Sequence, residues 1–212
     1  APDEARRNKN MSRLALTFLL ASISGAVLAQ SAAPTVLSCD GPFARDADHA
    51  RLIATFGAGN VVFTKIPGPE GTSAPGSVVF SKDATRRFYV TWNNERARKG
   101  PHVIVSDEKS TWKTADGIRI GATLTEIEKL NGRPFKLSGF DWDYGGFVED
   151  FGGGALSKRP GGCRLGLRFQ PDRKVPDAVS LKVAGDKTFS SGDPNMRAAR
   201  PAVSEISIAW PR

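Results

Sequence analysis

Apolar and polar positions along the chain alternate with the period of a strand in most stretches and with the period of a helix in two. Phe88-Tyr89-Val90-Thr91-Trp92 places Phe88, Val90 and Trp92 on one side of an extended chain. Ile206, Ile208 and Trp210 repeat that pattern near the C-terminus. Shorter extended segments are expected at 61–66, 77–80, 102–105, around Trp112, and at 135–140, 146–148, 164–169 and 179–183. The turn-rich stretch PGPEGTSAPG separates the first two, and 184–201 reads as a long polar loop. One helix is expected from a cap near Asp46, with Leu52, Ile53 and Phe56 on its apolar face and Gly57 as its stop. A second is expected from Thr123. Thr123-Leu124-Thr125-Glu126 fits a capping box, Leu124, Ile127 and Leu130 share a face, and Gly132 and Pro134 end it.

The pattern predicts an α+β fold of short helices packed on antiparallel sheets. Gly57 and Gly132 stand 75 residues apart at corresponding places, each after a short helix and before strands. That spacing suggests two tandem helix-plus-sheet units, 46–116 and 117–212.

The N-terminal pattern is of another kind. Residues 1–10 are polar and charged and are expected to be an upstream extension. Met11 and Arg13 then precede an uncharged, mostly apolar run from Leu14 to Val27, followed by small residues. This is the signature of a secretory signal over 11–29, cleaved between Ala29 and Gln30 with Val27 and Ala29 at the recognition positions. The run is short for a bilayer span, and no later stretch is long and apolar enough to cross. Residues 30–45 read as a small-residue spacer.

Charge adds little. The chain carries 30 Lys and Arg against 22 Asp and Glu, net +8; the leader and extension hold four of the bases and two of the acids, leaving +6. No block of like charge forms a tail, so the excess reads as solubility with some attraction to anionic surfaces, and nucleic acid is not an expected partner of an exported protein. Cys39 and Cys163 are the only cysteines. In an oxidising compartment such a pair is expected as a disulfide, here closing a long loop. The competing reading is a lipobox at Val36-Leu37-Ser38-Cys39, which would anchor the protein to a membrane through Cys39.

Two longer motifs carry a resemblance. Gly117-Ile118-Arg119-Ile120-Gly121, Leu124-Thr125-Glu126-Ile127-Glu128-Lys129-Leu130-Asn131-Gly132-Arg133-Pro134-Phe135 and Gly139-Phe140-Asp141-Trp142-Asp143-Tyr144-Gly145-Gly146 resemble a family of uncharacterised exported bacterial proteins. More distantly, Ile120-Gly121, Leu124, the short helix, Gly132 and Pro134 are similar to the opening of the β-lactamase inhibitor protein-like fold. The small lipoprotein subunit of the outer-membrane barrel assembly machinery shares that fold. The resemblance implies a protein that binds other proteins or envelope components rather than a catalyst, and in the inhibitor the unit is duplicated in tandem. A shared fold fixes no partner.

Chemistry is sparse. A Ser or Cys hydrolase needs a base, and only His49 and His102 exist. His49 is expected on the solvent side of its helix and His102 at the start of a strand. Neither a nucleophile elbow nor a zinc-protease motif occurs. The densest polar cluster is Asp141, Asp143, Glu149 and Asp150. Asp141 and Asp143 would share one side of a strand, where paired carboxylates hold Ca²⁺ or act as acid and base. The plainer reading is a hairpin with Trp142 and Tyr144 on one face and Gly145-Gly146 as its turn. Exposed, Trp142 and Tyr144 would be natural binding anchors. The sequence therefore predicts an exported, non-catalytic protein binding another protein or an envelope component, without a cofactor. An envelope hydrolase or Ca²⁺-dependent enzyme built on the acidic cluster is the alternative.

Overall fold

A computed structural model describes residues 35–211. The upstream extension, the expected leader and its cleavage positions Ala29 and Gln30 lie outside the described residues. In chain order the elements are β1 (Val36–Leu37), α1 (His49–Phe56), β2 (Val61–Pro67), β3 (Ser73–Val79), β4 (Phe88–Asn94), β5 (Lys99–Val105), β6 (Lys113–Thr114), α2 (Leu124–Asn131), β7 (Lys136–Ser138), β8 (Val148–Asp150), β9 (Arg164–Gln170), α3 (Asp177–Ser180), β10 (Thr188–Ser190), α4 (Pro194–Ala198) and β11 (Ala202–Ala209). The fold is α+β, as the pattern predicts. Among the described residues no helix is long and apolar enough to cross a membrane.

Both long helices form for local reasons. In α2, Thr123 Oγ1 accepts from Glu126 N at 3.2 Å while Glu126 Oε2 accepts from Thr123 N at 2.6 Å, so two orphan donors of the first turn are satisfied. Gly132 ends it in the left-handed conformation. Leu124 and Ile127 are buried, but Leu130 lies 38% exposed and Asn131 takes the inward position, bonded to the carbonyls of Arg133 and Phe151. α1 is capped by Asp48, whose carboxylate accepts from Arg51 N at 2.8 Å, and not by Asp46, which pairs instead with the Arg51 guanidinium at 3.1 Å.

The main sheet has six strands in the order β2-β3-β4-β5-β11-β9, all antiparallel. It takes four strands from 61–105 and two from the last third of the chain, so the boundary at 116/117 does not separate two sheets. α1 and α2 do begin 75 residues apart, but β7 and β8 then join β10 in a separate three-stranded sheet rather than repeating β2–β5. The strand expected at 179–183 is the helix α3 and a following 3-10 turn, and the loop expected at 184–201 contains β10 and α4. α4 is capped by Asp193, a signal that a purely hydrophobic reading passes over.

The inward face of the main sheet carries Val79, Phe88, Val90, Trp92, Val103, Val105, Leu167, Phe169, Ile206 and Ile208, all buried. They meet α1, α2 and an aromatic cluster in which Phe43, Phe56, Phe88 and Trp112 pack edge-on at centroid distances of 5.0–6.3 Å. The expected spacer is thus part of the core over its described length: Leu37 pairs in β1 with β6, and Phe43 is 1% exposed. Cys39 and Cys163 form a disulfide, with Cα atoms 5.5 Å apart, pinning this segment beside β9. On a chain-entropy account such a closure stabilises by about 4–5 kcal/mol. The lipobox reading requires a free thiol at Cys39, and that sulfur is bonded to Cys163.

Candidate functional site

Among the described residues, no layer covers the opposite face of the same sheet. Tyr89 and Thr91 from β4, His102 and Ile104 from β5, and Glu205 and Ser207 from β11 point outward, because their neighbours point inward. On β11 this phase depends on a bulge. Val203 pairs with Phe169 and Glu205 with Arg168, leaving Ser204 as the extra residue. Without it, the alternation that buries Val203 would turn Glu205 inward and Ile206 to solvent.

Two walls rise over this floor. One is the tip of the β2–β3 hairpin, with Ile66, Pro67, Pro69 and Thr72; the other is the loop 139–147 between β7 and β8, with Trp142, Asp143, Tyr144 and Phe147. Between them lies an open cleft of about 770 Å³. Glycine makes each wall possible. Ile66 folds down over Gly76, where an added Cβ would strike its terminal methyl. Gly146, at φ +80°, lies so close on β9 that a Cβ would overlap the Phe169 carbonyl, while its own carbonyl accepts from Phe169 N at 2.8 Å.

The walls are tied to each other and to the sheet. Asp143 Oδ2 accepts from the backbone N–H of Glu70 at the hairpin tip, at 3.1 Å. Arg168 donates from Nε to the Gly145 carbonyl at 2.8 Å and from Nη2 to the Asp143 carbonyl at 3.0 Å, and its guanidinium lies 4.9 Å from the centroid of the Phe147 ring. Trp142 donates to the Gly139 carbonyl at 3.1 Å and packs on Tyr144 at 5.5 Å. Trp142 and Tyr144, the aromatic pair singled out in the sequence, therefore line the cleft. Asp141 and Asp143 lie in a bent loop and not along a strand, with Asp141 at φ +64°.

The four acidic candidates do not converge. Asp143 serves the clasp to Glu70, Glu149 accepts from the Thr188 hydroxyl at 2.8 Å, and Asp150 accepts from Gly152 N at 2.7 Å. Among the described residues no three His, Cys, Asp or Glu side chains are placed to share a metal ion.

His49 is not on the solvent side of its helix. Its Nδ1 lies 2.8 Å from Ser77 Oγ, which also accepts from Trp92 Nε1 at 3.2 Å. The Ser77 hydroxyl has a single proton and no other acceptor among the described residues, so it donates to Nδ1 and leaves the His49 proton on Nε2. This Ser–His pair is not arranged as a nucleophile and its base, because Ser77 is completely buried and no substrate carbonyl reaches it. Burial, then the Arg98 guanidinium, holds His49 below the ordinary imidazole value, with Asp48 opposing.

His102 and Glu205 are the titratable groups of the floor. Burial lowers the His102 pKa. Burial also raises the Glu205 pKa, with Arg168 opposing. Ile104 pairs with Ser207; His102 lies two residues to one side of that pair and Glu205 two residues to the other. Their Cα atoms are thus about 14 Å apart, far beyond direct proton transfer, at roughly 3.4 Å per residue and 4.8 Å between strands. Sequence reasoning missed Tyr89, Ile104, Glu205, Ser207 and Arg168. Their outward positions follow from the alternation, but nothing local announces that the loop 139–147 folds over them.

No family model matches the chain, and neither the curated proteins nor the solved structures contain a match to it.

Proposed function

We propose that the protein is an exported, non-catalytic binding protein that holds a partner protein or cell-envelope component in the cleft on the outward face of its main sheet. One observation carries this reading. The floor and both walls form a pre-built concave site, clasped across its rim by Asp143 and Glu70, with apolar and polar groups interspersed as binding sites require. The disulfide and the leader expected over 11–29 support export. The more distant resemblance of 120–134 to the β-lactamase inhibitor protein-like fold implies the same, binding rather than catalysis. The hydrolase reading draws no support from the acidic cluster, in which Asp143, Glu149 and Asp150 are each engaged in a separate structural bond.

The test is affinity capture from a cell-envelope extract with the wild-type protein and with Thr91→Trp, which fills the cleft from its floor. A partner retained by the wild type and reduced at least 10-fold by Thr91→Trp, with the melting temperature of the variant within about 3 °C, is the expected result. Equal capture by both proteins would sink the proposal.

A further inference from the structure

The cleft also carries information about its occupant. Among the described residues, the side-chain polar groups of Tyr89, Thr91, His102, Ser207 and Glu205 have no hydrogen-bond partner in the protein and are left to solvent, and Glu205 has no ion-pair partner either. The sole polar side chain buried among the inward residues nearby, Ser77, has both of its bonds made. A half-buried carboxylate that meets only the solvent of the cleft is partly desolvated, and a donor brought from outside stabilises it. Arg168 is the nearest cation, but two of its nitrogens are committed to the carbonyls of Gly145 and Asp143. Across the adjoining rim, Arg173 and Glu108 pair with each other at 3.4 Å. Asp143 supplies a second carboxylate on the wall and His102 is kept neutral by burial. The cleft thus carries more acid than base, in a chain whose net charge is +8.

The unpartnered groups run in a line across the floor, from His102 through the Ile104–Ser207 pair to Glu205. At about 14 Å that line is the reach of roughly four residues of extended chain, and the cleft is open rather than sealed. Building on the proposed binding role, we infer that the cleft takes an extended polypeptide segment carrying a basic side chain, with its ammonium or guanidinium against Glu205 and an apolar neighbour over Tyr89 and Ile104. The remaining hydroxyls and the imidazole then meet the backbone amides of that segment. Charge complementarity sets the register and rejects acidic segments.

The experiment is selection of a displayed random heptapeptide library on the disulfide-bonded protein, followed by measured affinities for wild type, Glu205→Gln and Thr91→Trp. Enriched peptides are expected to carry Lys or Arg beside an apolar residue. They should bind Glu205→Gln at least 10-fold more weakly and lose binding to Thr91→Trp. Glu205→Gln keeps shape and removes a half-buried charge, so it is expected to fold; its melting curve checks this. Three results overturn the inference: no enrichment, enrichment without a basic preference, or cadaverine displacing the peptides at equal concentration, which would make the ligand a small amine. Peptides that bind Thr91→Trp unchanged would sink the binding cleft as well. Loss of the basic preference alone, with capture still dependent on Thr91, would remove only the ligand chemistry.

Discussion

The two faces of the six-stranded sheet are written by the same residues in alternation, yet they are finished differently. On β4, Phe88, Val90 and Trp92 point inward and are at most 5% exposed, while Tyr89 and Thr91 point outward and stay partly open. β5 repeats the division, and on β11 Glu205 stays partly open while Ser207 is covered. The inward face ends with every polar group satisfied: Trp92 Nε1 and His49 both close on Ser77. The outward face ends with its polar groups waiting. A folded protein gains nothing from holding Glu205 half-buried and partly desolvated with no donor from the protein, so the difference separates the face that holds the molecule together from the face left open to a ligand.

The largest effect should come from cutting the inward face where its aromatic rings interlock. Phe88→Ala removes a fully buried ring that packs on Phe43, Phe56 and Trp112. A loss of about 3–5 kcal/mol is expected, read as a drop in melting temperature of roughly 10 °C or more. Thr91→Ala, three residues along the same strand, should stay within about 0.5 kcal/mol. Comparable losses at both positions, measured by denaturant unfolding, would erase the distinction between the faces.

How much of this was legible in the sequence depends on which interactions are local. The capping box of α2 and the alternation of β4 are written in neighbouring residues, and they formed as expected; on β11 Ile206 and Ile208 point inward, but Trp210 lies past the strand's end and is only partly buried. The cap of α1 moved from Asp46 to Asp48 because two aspartates competed and only one had the spacing to reach Arg51 N. Val179 to Val183 looked like a strand by its apolar residues, but Pro176 and Asp177 start a helical turn there, with Val183 alone buried. Phe43 was lost in a supposed spacer because one aromatic residue has no period. The cleft depended on the loop 139–147 crossing to the hairpin tip at Glu70, a contact between residues 73 apart in the chain. Its aromatic residues could be singled out, but the floor beneath them could not.

A smaller effect probes the polar junction on the inward face. Ser77→Ala takes away the acceptor of Trp92 and the donor to His49, at a cost of about 1–3 kcal/mol. The same junction gives the protein a pH dependence. Burial holds both imidazoles below their ordinary value of 6.5. As pH falls through that value the unfolded chain takes up protons first, so stability declines below about pH 6.5 until the folded values are reached. His49→Gln should flatten part of the slope between pH 7 and 5. Asp83, held down to about 2 first by the Thr85 hydroxyl and then by Arg86, contributes stability that is lost only below 3.8, outside this window. A melting temperature equally steep over that range in His49→Gln would remove His49 from the account.

The smallest effect has the opposite sign and belongs to the outward face. Burial raises the Glu205 pKa above its ordinary 4.5, with Arg168 only partly opposing. A carboxyl raised in this way favours folding most at and below 4.5, and that contribution is lost as pH rises through the folded value. At neutral pH, without an occupant, the charge is therefore a liability. Glu205→Gln should raise the melting temperature at pH 7 by about 1–3 °C, with the gain shrinking as pH is lowered towards 4.5. A residue whose removal stabilises the empty protein while weakening its binding is the mark of a group kept for its ligand rather than for the fold. Were Glu205→Gln instead destabilising at pH 7 by as much as Ser77→Ala, the carboxylate would be a structural element with a partner in the folded protein, and the two faces would differ less than their hydrogen bonds indicate.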